Sequence, residues 1–363
     1  MPAKHIGHKL KLQHLRVVMA AAEWGSMAMA AKHLTISQPV VSKVIADLED
    51  ALGVRLFDRS PQGVEPTPYG RAFLKRSIAI FDNLKTGVDE IKFMADPSSG
   101  ELRIGSTEPL LAGLGLAVME RVWRQYPRVN FRIVEADSAT LVERELPERR
   151  IELALVPLPK AFSDVDLETT ILLHDALRVV VGIKSRWAHR RRITLAELVG
   201  EPWCLASSSV GSLMADAFRI SGLEMPRIAV TTTTAHLLFQ LLESGRFVGH
   251  FGDRLLQFYV NRFSLKKLPI ELPVPPFAVA IIALKNRTIS PVAQLFIDCA
   301  REVARSLAKR QSSSIRFELN HVSKAETGMD RARGTREVMR PLIAEITADD
   351  RSPIPWSYRD IEK

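Results

Sequence analysis

A seven-residue segment that begins at Ser37 combines side chains able to form hydrogen bonds with the edges of DNA bases. Gln38 can form two hydrogen bonds with adenine, Ser42 can reach a base or a phosphate, and Lys43 can reach guanine or phosphate. Ser37 suits a helix N-cap, and Pro39 suits the first helical turn, where its missing N–H would have had no intrahelical partner. The segment therefore predicts the start of a helix that enters the major groove.

The elements around this segment predict a winged helix-turn-helix over residues 1–66. Apolar periodicity and turn residues predict helices Leu10–Glu23 and Met27–Leu34, a third helix that ends at Leu52, and extended pieces Val54–Phe57 and Val64–Thr67. The third helix turns its apolar stripe inward, so its first turns stay free for DNA. The extended pieces form a hairpin wing with Arg59 near its tip, where a basic side chain can contact the minor groove.

Residues 67–98 predict a long linker helix. Its seam residues recur every seven positions, in two sets: Phe73, Ile80, Gly87 and Met94, and Ser77, Leu84 and Ile91. A helix of this length spans roughly 45 Å, too long and too exposed to stand alone. A heptad seam favours a partner helix, and burial against the chain's own C-terminal part is the alternative.

Residues 99–309 alternate between strand and helix patterns, which predicts an open α/β fold. The first unit comprises strands Glu101–Gly105, Val129–Val134 and Ile151–Val156 and helices Pro109–Gln125 and Ala139–Arg149. A second unit follows over residues 177–251, and the chain returns through Phe277–Leu284 to a last helix, Pro291–Leu307. The pattern predicts two such units in one effector-binding region.

Ligands of such sheets bind at the carboxyl ends of strands, in the crevice between the units. The polar residues of the loops at those ends are Ser106, Thr107, Asp137, Ser138, Ser207, Ser209, Thr232, Thr234 and His250. Several precede predicted helices, whose N-termini favour an anionic group, so a small carboxylate or a sugar-like metabolite is the first hypothesis for the effector. For each hydroxyl, a helix cap is the alternative role.

The sequence contains no motif typical of an enzyme. It has no glycine-rich phosphate loop, no G-x-S-x-G, no H-E-x-x-H and no paired cysteine ligands. His5, His8 and His14 lie close in sequence, but a basic tail with histidines is more often solvated than metal-bound. We expect no catalytic residue, no metal and no cofactor apart from a small-molecule effector.

The charge permits a nucleic-acid partner without indicating one, and the cysteine content fits a reducing compartment. The net charge is +9 and the pI is near 9.7, which is compatible with an acidic polymer as partner. Cys204 and Cys299 lie far apart and fit inert thiols, with a thiol sensor at Cys204 as the alternative. The apolar run after Lys11 is too short for a signal or a membrane span and contains Arg16, so we expect a cytoplasmic protein with no membrane partner.

The run A-A-x-x-L-x-I-S-Q-P-x-V-S-K-x-I-x-x-L-E-x-x-L-G-V-x-L-F-x-R, from Ala30 to Arg59, followed by T-P-x-G at Thr67, resembles the signature of LysR-type transcriptional regulators. The resemblance implies that the first turn of the third helix, the wing and the residue after it contact DNA, through Ser37, Gln38, Pro39, Ser42, Lys43, Arg59 and Thr67. Glu65 and Pro66 depart from the family pattern, and an acid there would weaken wing binding.

The resemblance also implies a multidomain α+β organisation: the winged domain, the linker helix and a two-lobed α/β effector domain of the periplasmic-binding-protein-like type 2 fold. Lobe 1 is expected at 99–180 plus 285–309 and lobe 2 at 181–284, with hinge crossings near Val181–Gly182 and Ala283–Leu284. The implied partners are double-stranded promoter DNA and further copies of the chain, as a dimer or tetramer, with RNA polymerase a further candidate. Residues 310–363 extend beyond the family pattern, and partial disorder or a strap over the effector domain stays open for this tail.

Overall fold

The computed structural model describes residues 10–61, 63–160, 162, 165–206, 210–260 and 262–307. The tail 310–363 and the candidate residues His5, His8, Ser207 and Ser209 lie outside these ranges. None of the helices within the ranges has both the length and the hydrophobicity that a membrane span requires.

Within the described residues, the winged domain is built from three helices and a hairpin. Its elements are α1 (Leu12–Trp24), α2 (Met27–Leu34), α3 (Gln38–Leu52), β1 (Phe57–Ser60) and β2 (Gly63–Pro66). The back of α3 packs Val41, Ile45 and Leu48 into a core shared with α1 and α2. The first wing strand begins three residues later than predicted, because residues 54–56 do not pair with β2.

A single helix, α4 (Pro68–Ala95), carries the chain from the winged domain to the effector domain. One face lies against the chain itself and buries Asp82 and Thr86. The opposite face leaves large apolar side chains exposed: Ile80, Leu84, Val88, Ile91 and Met94. Ser77, which the sequence placed on the seam, is instead buried and donates to the carbonyl of Phe73. One face of α4 is therefore buried against the chain itself. That the other face pairs with a partner helix stays a prediction.

Ten strands follow in the part of the effector domain that the structure describes. They are β3 (Ser99–Ser106), β4 (Arg128–Glu135), β5 (Leu153–Leu158), β6 (Leu167–Asp175), β7 (Leu177–Gly182), β8 (Trp203–Ala206), β9 (Ile228–Thr232), β10 (Val248–Gly252), β11 (Leu265–Lys267) and β12 (Phe277–Leu284). They form two five-stranded sheets, in the orders β4-β3-β5-β12-β6 for lobe 1 and β11-β7-β10-β8-β9 for lobe 2. Each sheet joins parallel βαβ pairs to antiparallel strands.

The sheet order corrects the predicted division into lobes. Strand β7 lies wholly in lobe 2, where it pairs with β10 and β11. Strand β12 lies in lobe 1, between β5 and β6. The chain thus crosses between lobes at Ala176 and again over residues 268–276, not at Val181–Gly182 and Ala283–Leu284. Strand β12 is apolar throughout and β7 is apolar except for Arg178, so the sequence alone does not indicate which sheet they join, and β6 and β11 were not predicted.

Helices cover both sheets and supply some of the residues that face the crevice. They are α5 (residues 108–125, with a wide π turn at Leu111–Gly115), α6 (residues 138–145), α7 (Gly211–Ile220), α8 (Ala235–Glu243), α9 (Asp253–Leu256) and α10 (residues 291–307). The predicted helix Ala139–Arg149 ends early in a turn, and Arg149 adopts a left-handed φ of 57°.

Candidate functional site

The first turn of α3 presents polar side chains to solvent. Ser37, Gln38, Pro39 and Lys43 are exposed, and Ser42 is half-buried. No side-chain hydrogen bond joins any of them to another described residue. Their donors and acceptors are therefore free for an external partner, while the buried stripe of α3 fixes the helix to the domain.

Glu49, at the back of α3, sets the position of the wing. Its Oε1 accepts hydrogen bonds from the backbone N–H groups of Leu56, at 2.7 Å, and Phe57, at 3.2 Å. The loop before β1 is thereby fastened to α3, so that helix and wing keep one relative angle. This role of Glu49 was not predicted, although the residue is the glutamate of the L-E-x-x-L-G run.

The described part of the wing carries one exposed cation beside two exposed acids. Arg59 stands opposite Val64, while Asp58 stands directly opposite Glu65. Like charges across a strand pair repel each other, and both would repel DNA phosphate. Asp58 therefore adds a second unfavourable charge to the one expected at Glu65.

Thr67 is a structural residue, which corrects its predicted role in contacting DNA. It is buried, and its Oγ1 donates to the carbonyl of Arg55 at 2.7 Å and accepts from the N–H of Gly70 at 3.0 Å. Both hydrogen-bonding functions of the hydroxyl are thus used in capping α4.

A buried cluster of charges joins the linker helix to lobe 1. Asp82 accepts hydrogen bonds from Arg149 and Arg287, each at 2.7 Å, and Arg103 lies 3.5 Å away. The first three side chains are no more than 8% exposed. Burial lowers the pKa of Arg287, and its guanidinium also donates to the carbonyl of Ile151. The cluster was not predicted from the sequence, because its members lie up to 205 positions apart.

The crevice between the lobes holds two adjoining cavities, here named the inner and outer chambers. Counted together with the solvent space open at its mouth, the inner chamber has about 420 Å³ of empty space, and it is lined by Thr107, Pro109, Leu110, Pro157, Ala206, Val210, His250, Phe251, Gly252, Leu255 and Phe277. The outer chamber, counted in the same way, has about 510 Å³ and is lined by Thr107, Glu108, Pro109, Glu135, Ala136, Asp137, Ala206 and Thr233. Three lining residues are common to both, so the two form one continuous site.

Some predicted effector residues line this site and others do not. Thr107 and His250 line the inner chamber, and Thr107 and Asp137 line the outer one. Ser106 is fully buried and donates to the carbonyl of Leu155 at 2.8 Å, so it holds two strands together rather than a ligand.

Of the remaining candidates, Ser138 is buried in the first turn of α6 and lines neither chamber. Thr232 accepts a hydrogen bond from the N–H of Thr234, and the residue between them, Thr233, is the one that lines the outer chamber.

His250 is a buried imidazole with no hydrogen-bond partner among the described residues. It is 3% exposed, and neither ring nitrogen is paired. Burial lowers its pKa to about 4, so the ring is neutral near pH 7 and offers one donor and one acceptor. Leaving such a group unpaired costs about 1–3 kcal/mol, which a ligand or water in the chamber can offset.

Glu108 bridges the two lobes, a role that was not predicted from the sequence. From the first turn of α5 its carboxylate accepts a hydrogen bond from the N–H of Ala235, at the N-terminus of α8, at 2.6 Å. Burial raises the pKa of Glu108, and the nearby Glu135 raises it further. The N-terminus of α8, which could have held an anionic ligand, is thus occupied by a side chain of the protein.

Both cysteines are buried free thiols. Burial raises the pKa of Cys204 to about 12 and also raises that of Cys299. A thiol that stays protonated at neutral pH is a poor nucleophile, so the geometry favours inert thiols over a redox sensor.

Asp175 lies at the first crossing between the lobes. Its two carboxylate oxygens accept from the N–H groups of Arg254, at 2.7 Å, and Leu255, at 3.1 Å, which caps α9. It is fully buried, and burial raises its pKa to about 6.

The raised pKa of Asp175 predicts a stability that depends on pH. The folded state disfavours the ionised carboxyl, so its contribution is most favourable below the ordinary pKa of 3.8 and is lost as pH rises through about 6. The free energy of unfolding should therefore fall by on the order of 3 kcal/mol between pH 4 and pH 7, and Asp175→Asn should remove this decline. Urea unfolding followed by tryptophan fluorescence measures it. Asp47→Asn, at an exposed acid of the winged domain, is the control, and a decline in Asp175→Asn equal to that of the unsubstituted chain contradicts the prediction.

Comparison with known proteins agrees with this arrangement. The family model described as LysR substrate binding domain matches residues 95–305, and the model described as bacterial regulatory helix-turn-helix protein, lysR family, matches residues 12–71. The chain is 29% identical to the transcriptional regulator TdcA of Escherichia coli, over 80% of this chain and 93% of that protein. It is 26% identical to the regulator GbpR of Azospirillum brasilense, over 83% of this chain and 89% of that protein.

The fold is similar to that of a full-length OxyR variant from Pseudomonas aeruginosa, with a TM-score of 0.59 at 20% identity over 82% of this chain and 97% of that one. The curated relatives named above are transcription regulators, which confirms the expectation of a regulator rather than an enzyme. The chain belongs to the LysR family of bacterial helix-turn-helix regulators.

Proposed function

We propose that this regulator binds double-stranded promoter DNA as a dimer or tetramer, and that a small molecule in the crevice controls the binding. The observation that carries the proposal is the first turn of α3, where Gln38, Ser42 and Lys43 have no partner within the described ranges. Polar side chains at the N-terminal end of a recognition helix read base edges. Such a protein acts in the cytoplasm, where bacterial DNA lies, and RNA polymerase is a further candidate partner.

Self-association is supported by the exposed face of α4. Five large apolar side chains follow one another along this face at spacings of three or four residues: Ile80, Leu84, Val88, Ile91 and Met94. A contiguous apolar stripe on a long helix is typical of helix pairing. Two chains paired in this way carry two winged domains, which favours an interrupted palindrome as the DNA site.

Control by an effector is supported by the two chambers and the two crossings between lobes. A ligand that contacts both lobes stabilises one relative orientation, and the coupling to DNA binding should be about 1–3 kcal/mol. Thr107 and Asp137 from lobe 1 and Thr233 and His250 from lobe 2 are the proposed contacts.

Two substitutions separate base reading from phosphate contact. The DNA site is first obtained by capturing fragments of genomic DNA on the purified protein and sequencing them. Gln38→Ala should weaken binding to that site by about 1–3 kcal/mol and leave binding to random DNA nearly unchanged. Arg59→Ala should weaken both alike and reduce the salt dependence by about one counterion.

Fluorescence anisotropy at several salt concentrations measures both effects. Asp47→Asn, at an exposed position on the same helix, is the control for general damage. An equal loss on specific and random DNA in Gln38→Ala would refute base reading by this side chain.

A further inference from the structure

The inner chamber is suited to an apolar group that also forms one neutral hydrogen bond. Nine of its eleven described lining residues have no polar side-chain group, the exceptions being Thr107 and His250. His250 is unpaired, buried and neutral, so it can donate to or accept from a ligand without bringing a charge. A buried polar group that the fold leaves unpaired at the wall of a cavity can gain the missing bond from a ligand or a water there.

The outer chamber carries negative charge. Glu108, Glu135 and Asp137 line it, and no lysine or arginine stands among its described lining residues. Asp137 already caps its own helix through Thr140, and this bonding lowers the pKa of Asp137. Glu135 has no ion pair with any described residue and is exposed at the end of β4, and Glu108 has one oxygen that accepts no hydrogen bond there.

This distribution of charge disfavours an anionic effector. A carboxylate could replace Glu108 at the N-terminus of α8, but it would then lie beside three carboxylates in a partly desolvated space. At an effective dielectric constant near 20, two unit charges interact about fourfold more strongly than they do in bulk water. An anion in this chamber is repelled by that stronger interaction, and a cation in the same place is attracted by it.

We propose that the effector is a small organic cation with an apolar body. An amine, amidine or guanidine group lies between Glu108 and Glu135 in the outer chamber, and the apolar body fills the inner chamber against His250. This proposal rests on the proposed function of the crevice, and it replaces the carboxylate that helix N-termini suggested from the sequence. Because Glu108 also holds the N-terminus of α8, a cation bound to it contacts a side chain that already joins both lobes.

Three probes of nearly the same shape test the charge preference: benzamidine, a cation; benzamide, which is neutral; and benzoate, an anion. Binding to the full-length chain is measured by isothermal titration calorimetry and by the shift in Tm. Benzamidine should bind at least about tenfold more tightly than benzamide, and benzoate should bind more weakly than either. Benzoate as the tightest probe overturns the proposal, and so does the absence of binding by all three at millimolar concentration.

Substitutions test which side chains cause the preference for a cation. Glu135→Gln changes an exposed residue and Glu108→Gln keeps an acceptor for the N–H of Ala235, so both should fold. Each should lower the affinity for benzamidine about tenfold and leave that for benzamide unchanged. His250→Phe should weaken the binding of benzamidine and of benzamide equally. If the two glutamine variants keep the affinity for benzamidine, the assigned charge contacts are wrong.

The result of the probe-binding experiment does not depend on whether the chain binds DNA. Captured genomic DNA tests the regulator with no probe present, and the probes test the crevice with no DNA present. A chain that selects no DNA site but binds benzamidine contradicts the proposed function and leaves the charge preference standing. A chain that selects a site but prefers benzoate contradicts only the cationic effector.

Discussion

Asp82→Asn should lower the free energy of unfolding by about 3–5 kcal/mol, because it removes the carboxylate that pairs with the buried guanidinium groups of Arg149 and Arg287. Removing one partner of a buried ion pair costs the full desolvation of the other, and here one carboxylate serves two buried arginines. Denaturant unfolding of the full-length chain measures the loss.

Asp89→Asn is the matched control for Asp82→Asn. Asp89 lies on the same helix but forms an exposed ion pair with Lys85, four residues earlier. Exposed pairs of this kind contribute about 0.3–0.5 kcal/mol, so the control should change stability very little. Equal losses in the two variants would mean that the Asp82 cluster does not fasten the helix to lobe 1.

Gly70→Ala should destabilise the winged domain by about 3 kcal/mol. A Cβ at this position would overlap the carbonyl oxygen of Leu56 and lie 3.0 Å from its carbon, and the backbone there is held by Glu49. Since neither the helix at Gly70 nor the backbone at Leu56 can move easily, the cost lies at the upper end of the range for overpacking. Thermal unfolding of the full-length chain measures it, and DNA affinity should fall with it.

Gly87→Ala, the same substitution on the same helix, should have the opposite sign. A Cβ there meets no heavy atom of the described residues within 4 Å. Replacing glycine by alanine inside a helix stabilises it by about 0.5–1 kcal/mol. If both variants lose the same stability, the close contact at Leu56 is not the cause.

The winged domain could be predicted from the sequence because its determinants are local. Helix Met27–Leu34 has its predicted bounds, and the third helix ends at Leu52 as expected. Serine N-caps, a proline in the first turn and glycines with a left-handed φ at Gly25 and Gly53 lie within a few residues of the ends they determine.

The lobes and the charge pattern of the crevice could not be predicted in the same way. Strands β7 and β12 are largely buried and, apart from Arg178, apolar, so either sheet would bury them. Glu108 reaches Ala235 across 127 positions, and no local pattern reports such a contact. Hydroxyl-rich loops therefore suggested an anion site that a distant carboxylate already occupies.

The Asp82 cluster has a mechanical consequence. Arg103, Arg149 and Arg287 all belong to lobe 1, so the cluster fastens this lobe to the linker helix and the two form one frame. Within the described residues, lobe 2 is joined to that frame through two backbone crossings and the contacts across the crevice. Under the proposed function, a ligand that changes the angle between the lobes would displace lobe 2 relative to this frame, and neighbouring subunits in an assembly would sense the effector through the outer surface of lobe 2.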